Sequence, residues 1–258
     1  MAAKRYLVFV NPRAGTRQGL AVLEQVRAAF ASVGASLDAQ VTAHAGHAAE
    51  LAANISLEGL DGLCVVGGDG TVHEVVNGLL RRHARVSLPL GVIPAGSGNA
   101  LAEHAGCRSP ADAVRRILAG HVRPLDAAKV KTGDADIYCI NIVGWGCAVD
   151  INATAERLRA LGPARYAVAA LWHITCARRR QAILTLDGRV IEDEFLFVVA
   201  CNTKFTGKGM KLAPMAETDD GLLDVVVVRR ASRRQMLKLF RRVFDGSHMS
   251  LACVEHYR

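Results

Sequence analysis

The chain has 258 residues, of which 51% are apolar, 22% charged and 5% aromatic. At ~150 residues per domain, this length predicts one large domain or two modest ones. The balance of apolar and charged residues excludes a disordered, collagen-like or coiled-coil protein. The formal charge is +8 and the pI is near 9.4, so the surface favours phosphates, nucleotides, nucleic acid or an anionic membrane without choosing among them.

Cysteine usage and the N-terminus bear on the compartment. Seven cysteines are scattered along the chain without a Cys-x-x-Cys pair, so we expect buried free thiols in a reducing compartment. The first residues enter a strand pattern directly, which predicts no signal peptide. The uncharged stretch 166–177 is too short to span ~30 Å of hydrocarbon. We therefore expect a cytoplasmic protein.

Strand and helix patterns alternate in the first half. The predicted strands are Tyr6–Val10, Ser36–Thr42, Gly62–Val66 and Leu90–Ile93. The predicted helices are Leu20–Phe30, Gly46–Ile55, Thr71–Leu80 and a segment that begins at Ser109-Pro110 and runs to Gly120. This alternation predicts a parallel sheet covered by helices on both faces.

The pattern changes near residue 125, where we place a boundary between domains 1–125 and 126–258. The predicted strands of the second domain are Ala128–Lys131, Asp136–Ile142, Gln181–Leu186, Val190–Ala200 and Leu222–Val228. Asp187-Gly188 predicts a two-residue hairpin turn. Helical patterns cover only about 150–180 and 232–245, so this domain is predicted to be mostly antiparallel.

Glycine-rich loops follow three of the parallel strands. They are Asn11–Gly15, Gly67–Thr71 and Pro94–Asn99, at the strand ends where such sheets bind ligands. Each loop alone could be only a tight turn. Three at successive strand ends predict a site for nucleotide phosphates, because glycine lets backbone N–H groups approach phosphate oxygens. Asp69 is an anion and would repel a phosphate, so it is not itself a phosphate ligand. It is better explained as a magnesium partner or as a base for an attacking hydroxyl.

Three common motifs are absent from the sequence. It contains neither a Walker loop nor a Gly-x-Gly-x-x-Gly dinucleotide fingerprint, and His73-Glu74 is not followed by the second histidine of a zinc protease. The glycine loops are therefore neither a Walker loop nor a dinucleotide fingerprint, and the sequence does not carry the zinc-protease motif.

Residues 11–12, 67–71 and 96–99 together resemble the diacylglycerol-kinase-type catalytic domain, whose superfamily includes lipid kinases and, more distantly, NAD kinases and phosphofructokinases. The resemblance runs along the whole chain. The stretches that look most like the sphingosine kinase branch are 73–78, 94–102, 144–146, 161–166 and 246–251.

The resemblance implies an ATP-binding α/β domain, a second β-sandwich domain that receives the lipid, and phosphorylation of a lipid hydroxyl. Asp69 matches the residue that activates this hydroxyl. Positions expected to hold ATP are Asn11, Pro12, Arg13, Ala14, Gly15, Thr42, Gly67, Gly68, Gly70, Thr71, Glu74 and Ser97. Glu156, Arg159 and Arg165 match positions that approach the nucleotide phosphates.

The resemblance also implies a magnesium site and a substrate site. Glu217, Asp220 and Leu222 match a structural Mg²⁺ site, to which Asp220 gives its side chain and the other two their carbonyls. Asp150 and Asn152 match the substrate region, but sphingosine kinases carry an Asp where this chain has Asn152. An amide cannot pair with an ammonium as a carboxylate does, which favours a neutral lipid such as diacylglycerol or ceramide over a sphingoid base.

The segment 229–242 carries seven basic residues and no acidic one. It predicts a helix that either docks on an anionic membrane or packs on the second domain with a solvated basic face.

Family members continue beyond a stretch like 247–257 into strands with an Asp-Gly-Glu-like element, and this chain ends at Arg258. We expect an ATP- and Mg²⁺-dependent lipid kinase at the inner face of the membrane. The end at Arg258 supports one alternative, a non-catalytic lipid-binding regulator on the same scaffold. An NAD kinase-like enzyme is the other alternative, and the stretches 94–102 and 246–251 disfavour it.

Overall fold

A computed structural model of the chain describes residues 3–82, 87–176, 178–207 and 209–258, without the side chains of Arg159 and Pro163. The chain divides into two units, Met1–Ile140 and Asn141–Arg258. This division falls later than the predicted boundary near residue 125.

The first unit contains a parallel sheet. Its strands are β1 (Arg5–Val10), β2 (Ser36–Val41), β3 (Gly62–Gly67) and β4 (Leu90–Pro94), in the order β2-β1-β3-β4. Its helices are α1 (Gly19–Ala31), α2 (His47–Asn54), α3 (Asp69–Leu80), α4 (Ala100–His104) and α5 (Pro110–Ala119). The short helix α4 was not predicted.

Helices cover both faces of this sheet, as predicted. Alternate residues of β1 point to opposite faces: Val8 joins a buried cluster with Phe30 of α1, whereas Phe9 joins one with Val72 of α3. Every residue of β3 is buried, which explains its continuous apolar run.

The predicted start and end of α5 are confirmed. The Ser109 hydroxyl accepts a hydrogen bond from Asp112 N at 3.1 Å, and Pro110 is the first helical residue. Gly120 follows the helix with φ of 75°, a left-handed conformation that glycine adopts without steric cost.

A hairpin after α5 explains where the first unit ends. Its strands are β5 (Ala128–Thr132) and β6 (Ala135–Cys139). Asn77 of α3 donates to Tyr138 O at 2.8 Å, and Tyr138 N donates to Asn77 Oδ1 at 2.9 Å. These bonds attach the hairpin to the parallel-sheet unit.

The second unit is built mainly of antiparallel strands. They are β7 (Ile142–Gly146), β8 (Arg180–Leu186), β9 (Arg189–Phe195), β10 (Phe197–Cys201), β11 (Asp224–Val228) and β12 (Glu255–Tyr257). One sheet has the order β12-β11-β10-β7, and β8 pairs with β9. Asp187 and Gly188 join that pair with φ of 44° and 86°, as the predicted hairpin turn requires. The fold class, a parallel α/β unit followed by a mostly antiparallel one, is confirmed.

Two predicted strands of the second half are each divided in the structure. The predicted strand Asp136–Ile142 is wrong, because β6 ends at Cys139 and β7 begins at Ile142 in another sheet. The predicted strand Val190–Ala200 divides at Leu196, whose N–H donates to Val228 O at 2.8 Å and whose carbonyl accepts from Cys147 N at 2.8 Å. Leu196 therefore marks the change of partner between β9 and β10.

The helices of the second unit are α6 (Cys147–Arg157), α7 (Arg165–Cys176) and α8 (Arg233–Arg242). A 3₁₀ segment, Arg159–Ala164, separates α6 from α7. Ile174, Val226, Met236 and Leu239 share one buried cluster. All seven cysteines are free, and five of them are buried. No helix within the described ranges is long and apolar enough to cross a membrane.

Candidate functional site

The three glycine loops contact one another through their backbones at the carboxyl ends of β1, β3 and β4. A Cβ on Gly15 would lie 2.5 Å from Ala95 O, and a Cβ on Gly96 would lie 2.4 Å from Gly68 Cα. Both distances are shorter than any side chain tolerates, so glycine is required for the loops to meet. Glycine occupies positions 15 and 96 because the loops approach each other closely, and not only because each turn is tight.

The first loop is organised by Asn11. Its Nδ2 donates to Thr71 Oγ1 at 3.0 Å, and its Oδ1 accepts from Arg13 N at 2.9 Å. The Asn11 side chain thus connects the loop after β1 to the first turn of α3. Ala14 of this loop is buried, whereas Arg13 and Gly15 are exposed and Pro12 is half-buried.

Asp69 connects the second loop to the third. It is the first residue of α3, and its Oδ2 accepts from Ala100 N at 2.9 Å while its Oδ1 accepts from Leu101 N at 3.2 Å. The carboxylate therefore binds the amino end of α4, where the peptide dipoles favour a negative charge.

An open space lies beside the first turn of α3. Thr71 N donates to Gly68 O at 3.0 Å, and a Cβ on Gly67 would lie 2.7 Å from Thr71 Cβ. Gly70 is exposed, and apart from its chain neighbours and the backbone of its own helix, no described heavy atom lies within 4 Å of the position its Cβ would take. An amino end of a helix with this much free space fits an anionic oxygen.

The third loop is closed by Asn99. Its Oδ1 accepts from Gly96 N at 2.9 Å, and its Nδ2 donates to Gly96 O at 2.7 Å. Asn99 has φ of 58°, a left-handed conformation that Asn adopts more readily than most residues. Ser97 lies half-buried within the closed turn.

Thr42 and Glu74 complete the predicted nucleotide residues of the first unit. Thr42 follows β2, is buried, and donates from its backbone N to Val10 O at 2.9 Å, which places it level with the start of the first loop. Glu74 is half-buried on α3. Its neighbour His73 has a pKa below the ordinary value because burial outweighs the effect of the Glu74 carboxylate.

Glu156 and Arg165 form an ion pair in the second unit. The guanidinium lies 3.2 Å from Glu156 Oε1, is 11% exposed, and stacks on the Tyr166 ring at 4.8 Å. The side chain of Arg159 lies outside the described atoms. The approach of these three residues to nucleotide phosphates stays a prediction.

The predicted substrate residues Asp150 and Asn152 lie on α6. Arg180 donates to both Asp150 oxygens, at 3.0 Å and 2.8 Å. Asn152 is exposed. The negative charge of Asp150 is therefore balanced by an arginine of β8, a partner that the sequence analysis missed.

Of the predicted magnesium residues, Asp220 is the one whose side-chain contacts the structure shows. Its Oδ1 accepts from Leu222 N at 3.0 Å, and Arg258 donates to its Oδ2. The hydrogen bond from the Leu222 amide, as the larger cause, and the Arg258 guanidinium hold the pKa of Asp220 below the ordinary value. Glu217 is exposed. The Arg258 guanidinium is a charged partner of Asp220 that the sequence analysis did not predict.

Side-chain clusters give no alternative metal site in the described part of the chain, which contains no group of three or more His, Cys, Asp or Glu residues able to hold an ion. The magnesium assignment of Glu217, Asp220 and Leu222 stays a prediction.

Sequence reasoning missed several polar groups that hold parts of one unit or of the other together. They are Asn77, Asn99, Arg180, Arg258 and the amides of Ala100 and Leu101. Asn99 carried a readable signal, since an Asn between a glycine turn and a helix is suited to the left-handed conformation. The others act on partners distant in sequence, and no local pattern marks them.

A parallel sheet whose glycine loops meet beside a helix amino end is an arrangement with which α/β proteins bind phosphates. Comparison with known proteins narrows this class. Residues 5–130 match the diacylglycerol kinase catalytic domain, and residues 141–258 match the YegS C-terminal NAD kinase beta sandwich-like domain. The chain belongs to the diacylglycerol kinase catalytic-domain family of lipid kinases.

Relatives of both branches of the family match this chain. It is 28% identical to sphingosine kinase 1 of Arabidopsis thaliana over 95% of its own length and spans 61% of that protein. It is 28% identical to the diacylglycerol kinase of Bacillus subtilis (strain 168), covering 96% of this chain and 81% of that one. A crystal structure of a diacylglycerol kinase from Bacillus anthracis (strain Sterne) shares the fold, with a TM-score of 0.72 at 24% identity over 100% of this chain and 84% of that chain.

Proposed function

We propose that this protein transfers the γ-phosphate of ATP to a hydroxyl of a diacylglycerol- or sphingoid-type lipid, as part of lipid metabolism at a membrane surface. The observation that carries the proposal is the position of Asp69, a carboxylate at the junction of three glycine loops and two helix amino ends. Magnesium accompanies ATP and neutralises charge on its phosphates.

We assign the nucleotide phosphates to the loop amides and to the amino end of α3. The free space at Gly70 supports this assignment, since a phosphate oxygen needs room beside the N–H groups. Asn11 and Asn99 hold the loops in place through their side chains. Donors that are fixed before the reaction stabilise the charge on the transferring group without reorganising.

Asp69 acts as the base in this proposal. The lipid hydroxyl oxygen forms a bond to the γ-phosphorus, the bond from that phosphorus to the β–γ bridging oxygen breaks, and the hydroxyl proton passes to Asp69. The amides of Ala100 and Leu101 orient the carboxylate for this transfer.

A neutral acceptor such as diacylglycerol is favoured over a cationic sphingoid base. Asn152 supplies no negative charge, and the charge of Asp150 is paired with Arg180. An ammonium group would therefore lack a carboxylate partner at either position.

The test is transfer of labelled γ-phosphate from Mg-ATP to lipids in mixed micelles. The panel contains diacylglycerol, monoacylglycerol, ceramide and a sphingoid base, with NAD as a soluble control. We expect label in diacylglycerol and none in NAD. Label in the sphingoid base would show that the argument from Asn152 is wrong, and label in NAD alone would assign an NAD kinase-like activity.

The Asp69→Asn variant distinguishes catalysis from positioning. Asp69 also binds the amino end of α4. The thermal stability and the ATP affinity of the variant are therefore measured together with its turnover. A base predicts lost turnover with ATP affinity unchanged. Retained turnover would refute the catalytic role, and ATP binding by the unmodified protein without transfer to any acceptor would indicate a non-catalytic lipid-binding regulator.

A further inference from the structure

Helix α8 in the second unit buries one side and exposes the other. Ser232 caps the helix, accepting from Gln235 N while Gln235 Oε1 accepts from Ser232 N at 2.8 Å. Met236 and Leu239 of the helix are buried, as is Val243, the first residue after the helix. Helical periodicity places the opposite side outward, and we call it the outer face of α8. Its residues are Arg233, Arg234, Leu237, Lys238, Arg241 and Phe244.

The basic residues of this outer face carry no compensating charge. Among the described residues, Arg233, Arg234, Lys238 and Arg241 form no ion pair. The preceding basic residues of the same sequence run differ, since Arg229 binds Glu255 and Arg230 binds Asp193. The structure therefore separates a paired group of arginines from an unpaired group on α8.

Apolar side chains lie along one edge of the outer face. Leu237 is 43% exposed and Phe244 is 44% exposed. The Phe244 ring contacts that of half-buried Phe240 edge to face, with 5.7 Å between centroids. Periodicity places Arg234, Lys238 and Arg241 on the other side of this edge. The helix thus presents a basic strip beside an exposed apolar strip.

We propose that the outer face of α8 is a docking surface for an anionic lipid bilayer. Leu237 and Phe244 enter the boundary between headgroups and acyl chains, while Arg234, Lys238 and Arg241 contact anionic headgroups, as amphipathic helices do when they lie in an interface. This deepens the proposed function, because a kinase of diacylglycerol-type lipids meets its acceptor in a bilayer. A nucleic acid would use the cations and leave the apolar strip in water.

Binding of purified protein to lipid vesicles tests the surface. The vesicles are phosphatidylcholine alone or phosphatidylcholine with phosphatidylglycerol, without ATP or diacylglycerol, in about 0.1 M and about 1 M salt. We expect binding to the anionic vesicles only. It should weaken in high salt without vanishing, because salt screens the cations and leaves apolar insertion intact.

Two variants and a matched control assign the binding to α8. Replacing Arg234, Lys238 and Arg241 by Gln should weaken it on the order of a hundredfold in low salt. Leu237→Ser with Phe244→Ser should remove the part that resists salt. The control replaces Lys4, Arg27 and Arg123, exposed cations of the first unit, by Gln and loses the same charge. It should bind within about twofold of the unmodified protein if local contacts dominate.

Three outcomes would overturn the proposal. They are equal weakening by the control variant, no binding to either vesicle, and α8-dependent binding to RNA or duplex DNA in place of vesicles. The α8 variants should still phosphorylate short-chain diacylglycerol dispersed in micelles. Failure of docking is thereby distinguished from failure of the proposed function, since the vesicle assay requires no phosphate transfer and the micelle assay requires no bilayer.

Discussion

Replacing Gly96 by Ala should separate the two loops that meet at the centre of the site. The added Cβ would lie 2.4 Å from Gly68 Cα, 3.1 Å from Gly68 N and 2.8 Å from Asn99 Oδ1. Ordinary contact begins at 3.4 Å, so the backbones must move apart by about 1 Å, the difference between 3.4 Å and 2.4 Å. Neither backbone atom of Gly68 can rotate away as a side chain would.

That displacement has a cost in stability and in function. Overpacking of this kind costs about 1–3 kcal/mol. At about 2–4 °C per kcal/mol for a chain of this size, Tm should fall by about 2–12 °C. A shift of about 1 Å in the groups that position a substrate lowers turnover on the order of a hundredfold. Differential scanning calorimetry and the micelle assay measure the two effects.

Gly70→Ala is the matched comparison in the second glycine loop, which contacts the loop of Gly96. Apart from its chain neighbours and the backbone of its own helix, no described heavy atom lies within 4 Å of its added Cβ, and Ala is favoured over Gly in a helix by up to about 1 kcal/mol. Tm should therefore stay level or rise. Nucleotide affinity should nevertheless fall, because the new methyl group occupies the space assigned to a phosphate oxygen.

The reasoning would be refuted by a Gly96→Ala variant with the Tm of Gly70→Ala and undiminished turnover. That result would mean that the loops separate without strain and that their contact does not matter for the site. Undiminished ATP affinity in Gly70→Ala would instead refute the placement of the phosphates, while leaving the packing argument intact.

Two further predictions concern buried polar side chains. Asn77→Ala should destabilise the protein by about 1–3 kcal/mol in urea unfolding, because Tyr138 N and O lose their partner; an unchanged midpoint would show that the hairpin is held by other contacts. His248 is fully buried, and burial lowers its pKa below the ordinary value of 6.5. The unfolded chain then binds a proton more readily than the folded one, so stability is complete above pH 6.5 and decreases as pH falls below it. Melting curves from pH 7.5 to 5.5 should show this slope, and His248→Gln should reduce it to the part contributed by other groups such as His73; an equal slope in that variant would contradict the assignment.

The contacts of Asp69 change how its variants are read. A carboxylate that accepts from two amides of α4 contributes to the fold as well as to the proposed chemistry. Loss of activity alone therefore does not identify a base. The combination of Tm, ATP affinity and turnover does, because a purely structural role would change the first two together.

Much of the fold could be predicted because its signals are local. The burial of β3 follows from its continuous apolar run, the limits of α5 from Ser109, Pro110 and Gly120, and the β8–β9 turn from Asp187-Gly188. Each of these patterns acts on neighbours in the chain, so it can be read without knowing the fold. The glycine loops belong to the same group, since their position after successive parallel strands already indicated a common site.

The partners of the candidate charged groups within each unit were decided by tertiary structure. Asp69 binds α4 across 31 residues of sequence, Asp150 pairs with Arg180 across 30, and Asp220 binds Arg258 across 38. Such pairs depend on where whole elements pack, and hydrogen bonds of this kind leave no periodic trace in the sequence.

The sequence by itself determined the two-part α/β and antiparallel architecture and the location of the glycine loops, because backbone preferences and hydrophobic periodicity act over short distances. Only the tertiary structure decided that Gly15 and Gly96 are required by the contact between loops. It also decided that the basic run 229–242 contains both arginines bound to Asp193 and Glu255 and unpaired cations on α8. Both outcomes depend on contacts between segments far apart in the chain, which packing alone establishes.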